Sequence, residues 1–175
     1  MSAGTLNWRQ LVDLSRLAAW MDGQGLGGRT IDDVEVLTGG TQNILLRFSR
    51  GGRSFVLRRP PAHTIANGSE TMRREARVLG ALASTDVPHP RLIAGCADEH
   101  VLGAAFYLME PVDGFNPTVA LPALHAGDAD VRRRMGLSLV DAIASLGRVD
   151  ADAVGLGDFG RTEGFLQRQP RRWHN

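Results

Sequence analysis

Leu37 to Asn43 reads LTGGTQN, two glycines followed by three short polar side chains. Gly39 and Gly40 let a backbone approach a ligand closely, and Thr41, Gln42 and Asn43 offer it small donors. That combination suits a phosphate. Further on, FVLRRPP (55–61) ends an apolar run in two arginines. Strand alternation puts Val56 and Arg58 on one face and Phe55, Leu57 and Arg59 on the other.

The remaining reactive residue types carry less. Glu75 lies beside the apolar stripe of a helical pattern, where a carboxylate is ordinarily a solvated charge. His89, between Pro88 and Pro90, has no second histidine, cysteine or carboxylate at ligand spacing and reads as a packing or surface residue. Two short motifs look catalytic, His125-Ala126-Gly127-Asp128 and Asp158-Phe159-Gly160. The first opens a helical pattern, and the second sits in a glycine-rich stretch where a turn with Phe159 packed inward is expected. No residue is assigned a catalytic or metal-ligating role.

These residues need elements to hold them. Asn7 is a candidate cap for a first helix carrying Leu11, Leu14, Ala18 and Met21 and ending at Gly23. A first strand is expected over Val34 to Leu37. Ile44 to Phe48, the turn Arg50-Gly51-Gly52-Arg53, and Phe55 to Leu57 have hairpin spacing. Pro60 and Pro61 stop the ladder, and Ala62 to Gly68 is a polar loop. Ser69 is a candidate cap for a second helix with Met72, Ala76, Leu79 and Ala83 on one face. Strands follow over Leu92 to Cys96 and Phe106 to Met109. A bend at Glu110-Pro111-Val112-Asp113-Gly114 then frees backbone groups of Glu110 and Val112 for a ligand. A third helix from Asp128 places Val131, Met135, Leu139, Ala142 and Leu146 on one face, and Phe165 to Trp173 reads as the start of another.

Composition narrows the class. The 175 residues suffice for one core or for one domain and part of another. No apolar run reaches the roughly 18 to 20 residues of a membrane helix. The opening MSAGTLNWRQ has no apolar stretch with a cleavage site, and the single Cys96 has no partner for an internal disulfide, so a cytoplasmic protein is expected. The net charge of +1 excludes a surface dominated by nucleic-acid phosphates, although all 20 basic residues are arginine. Arg73-Arg74, Arg132 to Arg134 and Arg171-Arg172 read as solvated helix faces, with no interleaved aromatics to stack on bases.

The order glycine turn, basic strand end, glutamate-bearing helix, two strands and a bend resembles the N-terminal lobe of the protein-kinase-like fold. The stretches LTGGTQN (37–43), FVLRRPP (55–61), REARVLGAL (74–82), VPHPRLIAG (87–95), FYLMEPVDG (106–114) and VGLGDFGRTEGF (154–165) look like the aminoglycoside phosphotransferase and choline-kinase-like family of small-molecule kinases. The branch closest in these stretches is the one related to kinase domains fused to acyl-CoA dehydrogenases. The resemblance implies an α+β fold in two parts. Residues 1–112 would form a nucleotide-binding lobe with an antiparallel sheet of about five strands and flanking helices. Residues 113–175 would form the hinge and first helices of an incomplete C-terminal lobe.

It also implies roles. Thr38, Gly39, Gly40, Thr41, Gln42 and Asn43 would cover the phosphates of ATP or another nucleoside triphosphate. Arg58 stands where most kinases have lysine, and Glu75 matches the glutamate that holds that residue. Val56 would pack on adenine, Met109 would be the gatekeeper, and the Glu110 carbonyl and Val112 N–H would meet the adenine edge. The family's catalytic His-Gly-Asp loop and its metal-binding aspartate have no counterpart in these 175 residues. Mg2+ is therefore expected only with a fuller C-terminal lobe. The expected function is the nucleotide-binding portion of a phosphotransferase acting on a small-molecule hydroxyl. The alternatives are a non-catalytic nucleotide-binding or interaction module, self-associating through a truncated apolar face, and an unrelated α+β domain.

Overall fold

The computed structural model describes residues 8–28, 30–37, 43–61, 67–160 and 164. Its centre is an antiparallel sheet of β1 (Asp32–Val36), β2 (Ile44–Arg50), β3 (Arg53–Arg59), β4 (Leu92–Cys96) and β5 (Phe106–Met109). The strands lie in the order β1-β2-β3-β5-β4. With its flanking helices this is the expected α+β, kinase-like architecture. The sheet is seeded by the β2–β3 hairpin, paired without a break from Ile44↔Arg59 to Arg50↔Arg53. Its two-residue turn needs left-handed backbone at both positions, and Gly51 (φ +58°) and Gly52 (φ +79°) supply it without strain.

Alternation along the hairpin creates two unlike faces. Ile44, Leu46, Phe48, Phe55 and Leu57 join Phe106 and Leu108 on one face, with the rings of Phe48 and Phe55 stacked 5.5 Å apart. This face is covered by α1 (Leu14–Gly23), through Leu17 and Met21, and by Trp8 from a short 3-10 turn. The opposite face, bearing Val56, Arg58 and Tyr107, is covered by α2 (Gly68–Leu82) through Met72, Ala76 and Leu79. Each fully buried Leu, Phe or Met contributes about 1.5–3 kcal/mol, so the two apolar layers hold α1 and α2 against the sheet.

Several boundaries differ from the sequence expectations, each for a local reason. Asp13, not Asn7, caps α1: its Oδ1 accepts from Ser15 N at 2.9 Å and Arg16 N at 3.1 Å, so Leu11 precedes the helix. Asn7 itself lies outside the described residues. β1 starts two residues early, at Asp32. α2 starts at Gly68, so Ser69 is not its cap; the Ser69 hydroxyl accepts instead from Ala105 N at 3.1 Å. Gly68 sits so close to Pro60 that an added Cβ would lie 2.8 Å from that ring. The helix therefore enters tightly against the end of β3.

After β5 come α3 (Ala123–Gly127), which was not expected, and α4 (Ala129–Gly147), capped by Asp128 as expected. No residue of α4 is buried. Of the expected apolar face Met135, Leu139 and Leu146 are exposed and Val131 and Ala142 half-buried, and Leu137, Val140 and Ile143 are exposed beside it, as the described residues stand. The glycine turn 38–42, the loop 62–66 and the segment 165–175 lie outside the described residues.

Candidate functional site

Cross-strand register puts chemistry on the α2 face of the sheet. Arg58 on β3 stands opposite Leu45 on β2 and Tyr107 on β5, and Val56 stands opposite Arg47 and Met109. From the helix above, Glu75 reaches down to Arg58. The Arg58 Nε lies 3.0 Å from Glu75 Oε2, and Nη2 donates to Oε1 at 3.1 Å. This is a side-on, two-point grip that a lysine could not make. The solvated-charge reading of Glu75 is thus corrected, because both side chains are only about a third exposed, at 30% and 31%.

Tyr107 completes the cluster and was not singled out in the sequence. Its hydroxyl donates to Glu75 Oε2 at 3.0 Å. Burial drives the ionisation of this phenol well above the ordinary tyrosine range. The Glu75 charge adds to that rise and the Arg58 charge opposes it. The signal for Tyr107 was its position two residues before Met109, on the same strand face. Using that signal requires the β3–β5 register, which the sequence does not contain.

The other expected residues take these places. Asn43 is half-buried immediately before β2, while Thr38, Gly39, Gly40, Thr41 and Gln42 lie outside the described residues. Val56 is buried, 3% exposed, and Met109 is half-buried where β5 ends. Glu110 N donates to Arg91 O at 2.9 Å, continuing the β4 edge, so its carbonyl rather than its N–H is the group left for a ligand. Val112 is 69% exposed on the bend. Arg47, on the same sheet face as Val56, lies 3.7 Å from Asp113 beyond that bend.

The two catalytic look-alikes are structural. The His125 ring packs edge-on against Phe115 within α3, and Asp128 Oδ1 accepts from Asp130 N and Val131 N at the start of α4. Asp158 is paired with Arg77 of α2, and the half-buried Phe159 ring lies under the Arg74 guanidinium, 3.9 Å from its Cζ. Among the described residues no three histidine, cysteine or acidic side chains gather as a metal site. Asp158, the residue of a kinase metal triplet, is committed to an arginine, so the described residues do not suit Mg2+ and no step through it follows.

The arrangement is a planar cation held by a carboxylate that a phenol also binds, on an apolar sheet face next to β2. Comparison with known proteins gives matches of the same kind. The profile of a group described as "Phosphotransferase enzyme family" matches residues 33–175. A solved structure from Ralstonia eutropha, of a protein assigned as an aminoglycoside phosphotransferase, is similar with a TM-score of 0.70 and 34% identity. The match covers 93% of this chain and 46% of that one. The Arabidopsis thaliana protein named Probable acyl-CoA dehydrogenase IBR3 is 34% identical over 122 residues, 69% of this chain and 15% of its own length. The rat acyl-CoA dehydrogenase family member 11 is 29% identical over 167 residues, 92% of this chain and 21% of its own length. The chain therefore spans a small part of those relatives and less than half of the solved structure.

Proposed function

Since this chain belongs to the phosphotransferase enzyme family, we propose that it is the nucleotide-binding portion of an ATP-dependent kinase that phosphorylates a small-molecule hydroxyl. The observation that carries this reading is the two-point Arg58–Glu75 pair on the sheet face reached by the strand after the glycine turn. A guanidinium held flat by Glu75 keeps donors for phosphate oxygens in a fixed plane. Thr38 to Asn43 cover the phosphates and Val56 packs against adenine. Met109 guards the space behind, the Glu110 carbonyl accepts from the base's amine, and the Val112 N–H donates to its ring nitrogen. Pro111 lacks an N–H at the position between them, where none is needed.

The division of labour follows the family resemblance. Residues 1–112 hold the nucleotide, and 113–175 form the hinge and first helices of the part that selects the acceptor and holds Mg2+. The family's His-Gly-Asp loop and later metal-binding aspartate have no counterpart in this sequence, and the role we assign to these residues is nucleotide binding. No described helix is long and apolar enough to cross a membrane. The cytoplasm is proposed on a different ground, the single Cys96 with no internal disulfide partner.

The test is calorimetric titration with ATP and with adenosine, each with and without Mg2+. Saturable ATP binding is expected, and Arg58→Ala should weaken ATP much more than adenosine. Equal losses for both ligands would remove Arg58 from the phosphate site, and no saturable ATP binding would sink the reading.

The exposed apolar side chains of α4 support a second reading, a non-catalytic module that associates with itself or another protein through that helix. Light scattering separates the two. A concentration-dependent dimer without ATP binding favours the module, and a monomer that binds ATP favours the kinase portion.

A further inference from the structure

The segment from Asp150 to Gly160 folds into a compact knot that α2 does not require for its own helicity. Asp150 Oδ1 accepts from Asp152 N and Ala153 N, Leu156 N bonds Ala151 O at 2.7 Å, and Phe159 N bonds Leu156 O at 2.9 Å. Gly155 adopts φ +76°, a left-handed backbone that favours glycine. The knot thereby presents three acceptors to one side: the Gly155 carbonyl, the Asp158 carboxylate and the Phe159 carbonyl.

All three are taken by α2. Arg77 Nη2 donates to Gly155 O at 2.7 Å, and its guanidinium grips both Asp158 oxygens, with Nη1 to Oδ2 at 3.3 Å. Arg74 Nη2 donates to Phe159 O at 2.9 Å, and its guanidinium also lies over the Phe159 ring. Arg74 and Arg77 are three residues apart and so share one helix face, with Glu75 next to Arg74. A cavity of about 340 Å³ separates the knot from the sheet, bordered by Thr71, Arg74, Glu75, Leu79, Tyr107 and Phe159. The knot and Glu75 therefore border the same cavity.

Resting on the nucleotide-binding reading, we propose that this knot is a strut and that Arg77 and Asp158 are positioning residues: they fix the rotation of α2 and so hold Glu75 on Arg58. Apolar contacts of Met72, Ala76 and Leu79 turn one broad face of α2 to the sheet, and directional bonds narrow the angle about its axis further. A rotation of about 20° would carry a side-chain tip at roughly 5 Å radius by about 2 Å. That displacement breaks the hydrogen bonds that Glu75 accepts from Arg58 Nη2 at 3.1 Å and from the Tyr107 hydroxyl at 3.0 Å. Directional bonds from Arg74 and Arg77 oppose such a rotation. On the other flank Arg73 does the same through Ala97 O at 2.9 Å and Glu99 at 2.6 Å. The Asp-Phe-Gly triplet thus acts on the phosphate site through a helix.

The experiment measures exchange of the Arg58 guanidinium N–H protons, those of Nη2 included, with water by NMR, their resonances assigned by their loss in Arg58→Lys. It uses the full chain and the variants Asp158→Asn, Arg77→Gln and Asp158→Glu. Faster exchange by several-fold is expected in the first two, with recovery in Asp158→Glu, while circular dichroism shows α2 and the sheet retained. The Asp158 side chain is exposed, so Asp158→Asn is compatible with folding, and Arg77→Gln tests the same contact from the helix side. Unchanged exchange in both folded variants overturns the strut, whatever ATP does. ATP titration of the same proteins should show weaker ATP with unaltered adenosine. Accelerated exchange without ATP binding in any form supports the strut and removes the nucleotide reading.

Discussion

The Tyr107 hydroxyl donates to the Glu75 carboxylate at 3.0 Å, on the same oxygen that lies 3.0 Å from Arg58 Nε. One carboxylate thus joins a strand cation to a neighbouring strand phenol from a helix above them. Without the phenol, Glu75 could follow Arg58 if the arginine swung toward a ligand. With it, the carboxylate is held from two directions and keeps the guanidinium in its plane.

Replacing the hydroxyl tests that arrangement. Tyr107→Phe keeps the ring in the layer with Met72 and Ala105 and removes one bond to a charged, part-buried acceptor. A loss of about 1 kcal/mol of folding stability is expected by urea denaturation. A modest loss of ATP affinity should accompany it, smaller than that of Arg58→Ala. A loss as large as that of Arg58→Ala would mean that Tyr107 meets the ligand directly.

Tyr107 is the chain's single tyrosine, so its ionisation can be read by ultraviolet absorbance alone. Burial first, and the nearby Glu75 charge after it, raise this phenol above the ordinary value of about 10. A group raised in the fold contributes stability that is fully present below its unfolded value and is lost as pH rises through its folded one. The folded chain should therefore show no phenolate signal at the pH where a denatured control is half ionised. Coincident folded and denatured curves would place Tyr107 in solvent.

Much of this cluster was legible because its parts obey local rules. The β2–β3 hairpin announced itself through alternating apolar residues around a glycine pair, and that alternation put Arg58 with Val56. Tyr107 and the Arg77–Asp158 contact were not legible, since both depend on which strand neighbours which and on where a loop some 80 residues away returns. The caps of α1 and α2 were misread for a related reason. Asn, Ser and Asp are equivalent capping candidates until tertiary contacts assign them, and Ala105 had claimed Ser69.

The Arg77–Asp158 contact makes a pH prediction of its own. The Arg77 hydrogen bond, reinforced by the charges of Arg77 and Arg74, holds the Asp158 carboxyl below the ordinary aspartate range. A carboxyl lowered in the fold stabilises above its unfolded value and loses that contribution as pH falls through its folded one. Carboxyl-carbon NMR should give Asp158 a low midpoint in the unmodified chain and an ordinary one in Arg77→Ala. The same midpoint in both would show that the pair does not form in solution.

Two buried arginines on the α1 side should respond oppositely to the same substitution. The Arg50 side chain is 4% exposed but well compensated, with Asp22 at 2.8 Å and the Ala18 carbonyl at 3.0 Å. Arg59 is 2% exposed and bonds the Leu102 carbonyl at 3.0 Å. Its Nε and Nη1 have no partner among the described residues, and burial lowers the pKa of its guanidinium. Removing a compensated buried cation orphans its partners, whereas removing a poorly compensated one also removes a desolvation penalty. Arg50→Met should therefore lose about 2–3 kcal/mol. Arg59→Met should lose less than about 1 kcal/mol or gain stability, because the methionine fills the space and leaves one carbonyl unpaired. Urea melts of both variants decide it, and a larger loss for Arg59→Met than for Arg50→Met would show that Arg59 has polar partners the described residues do not supply.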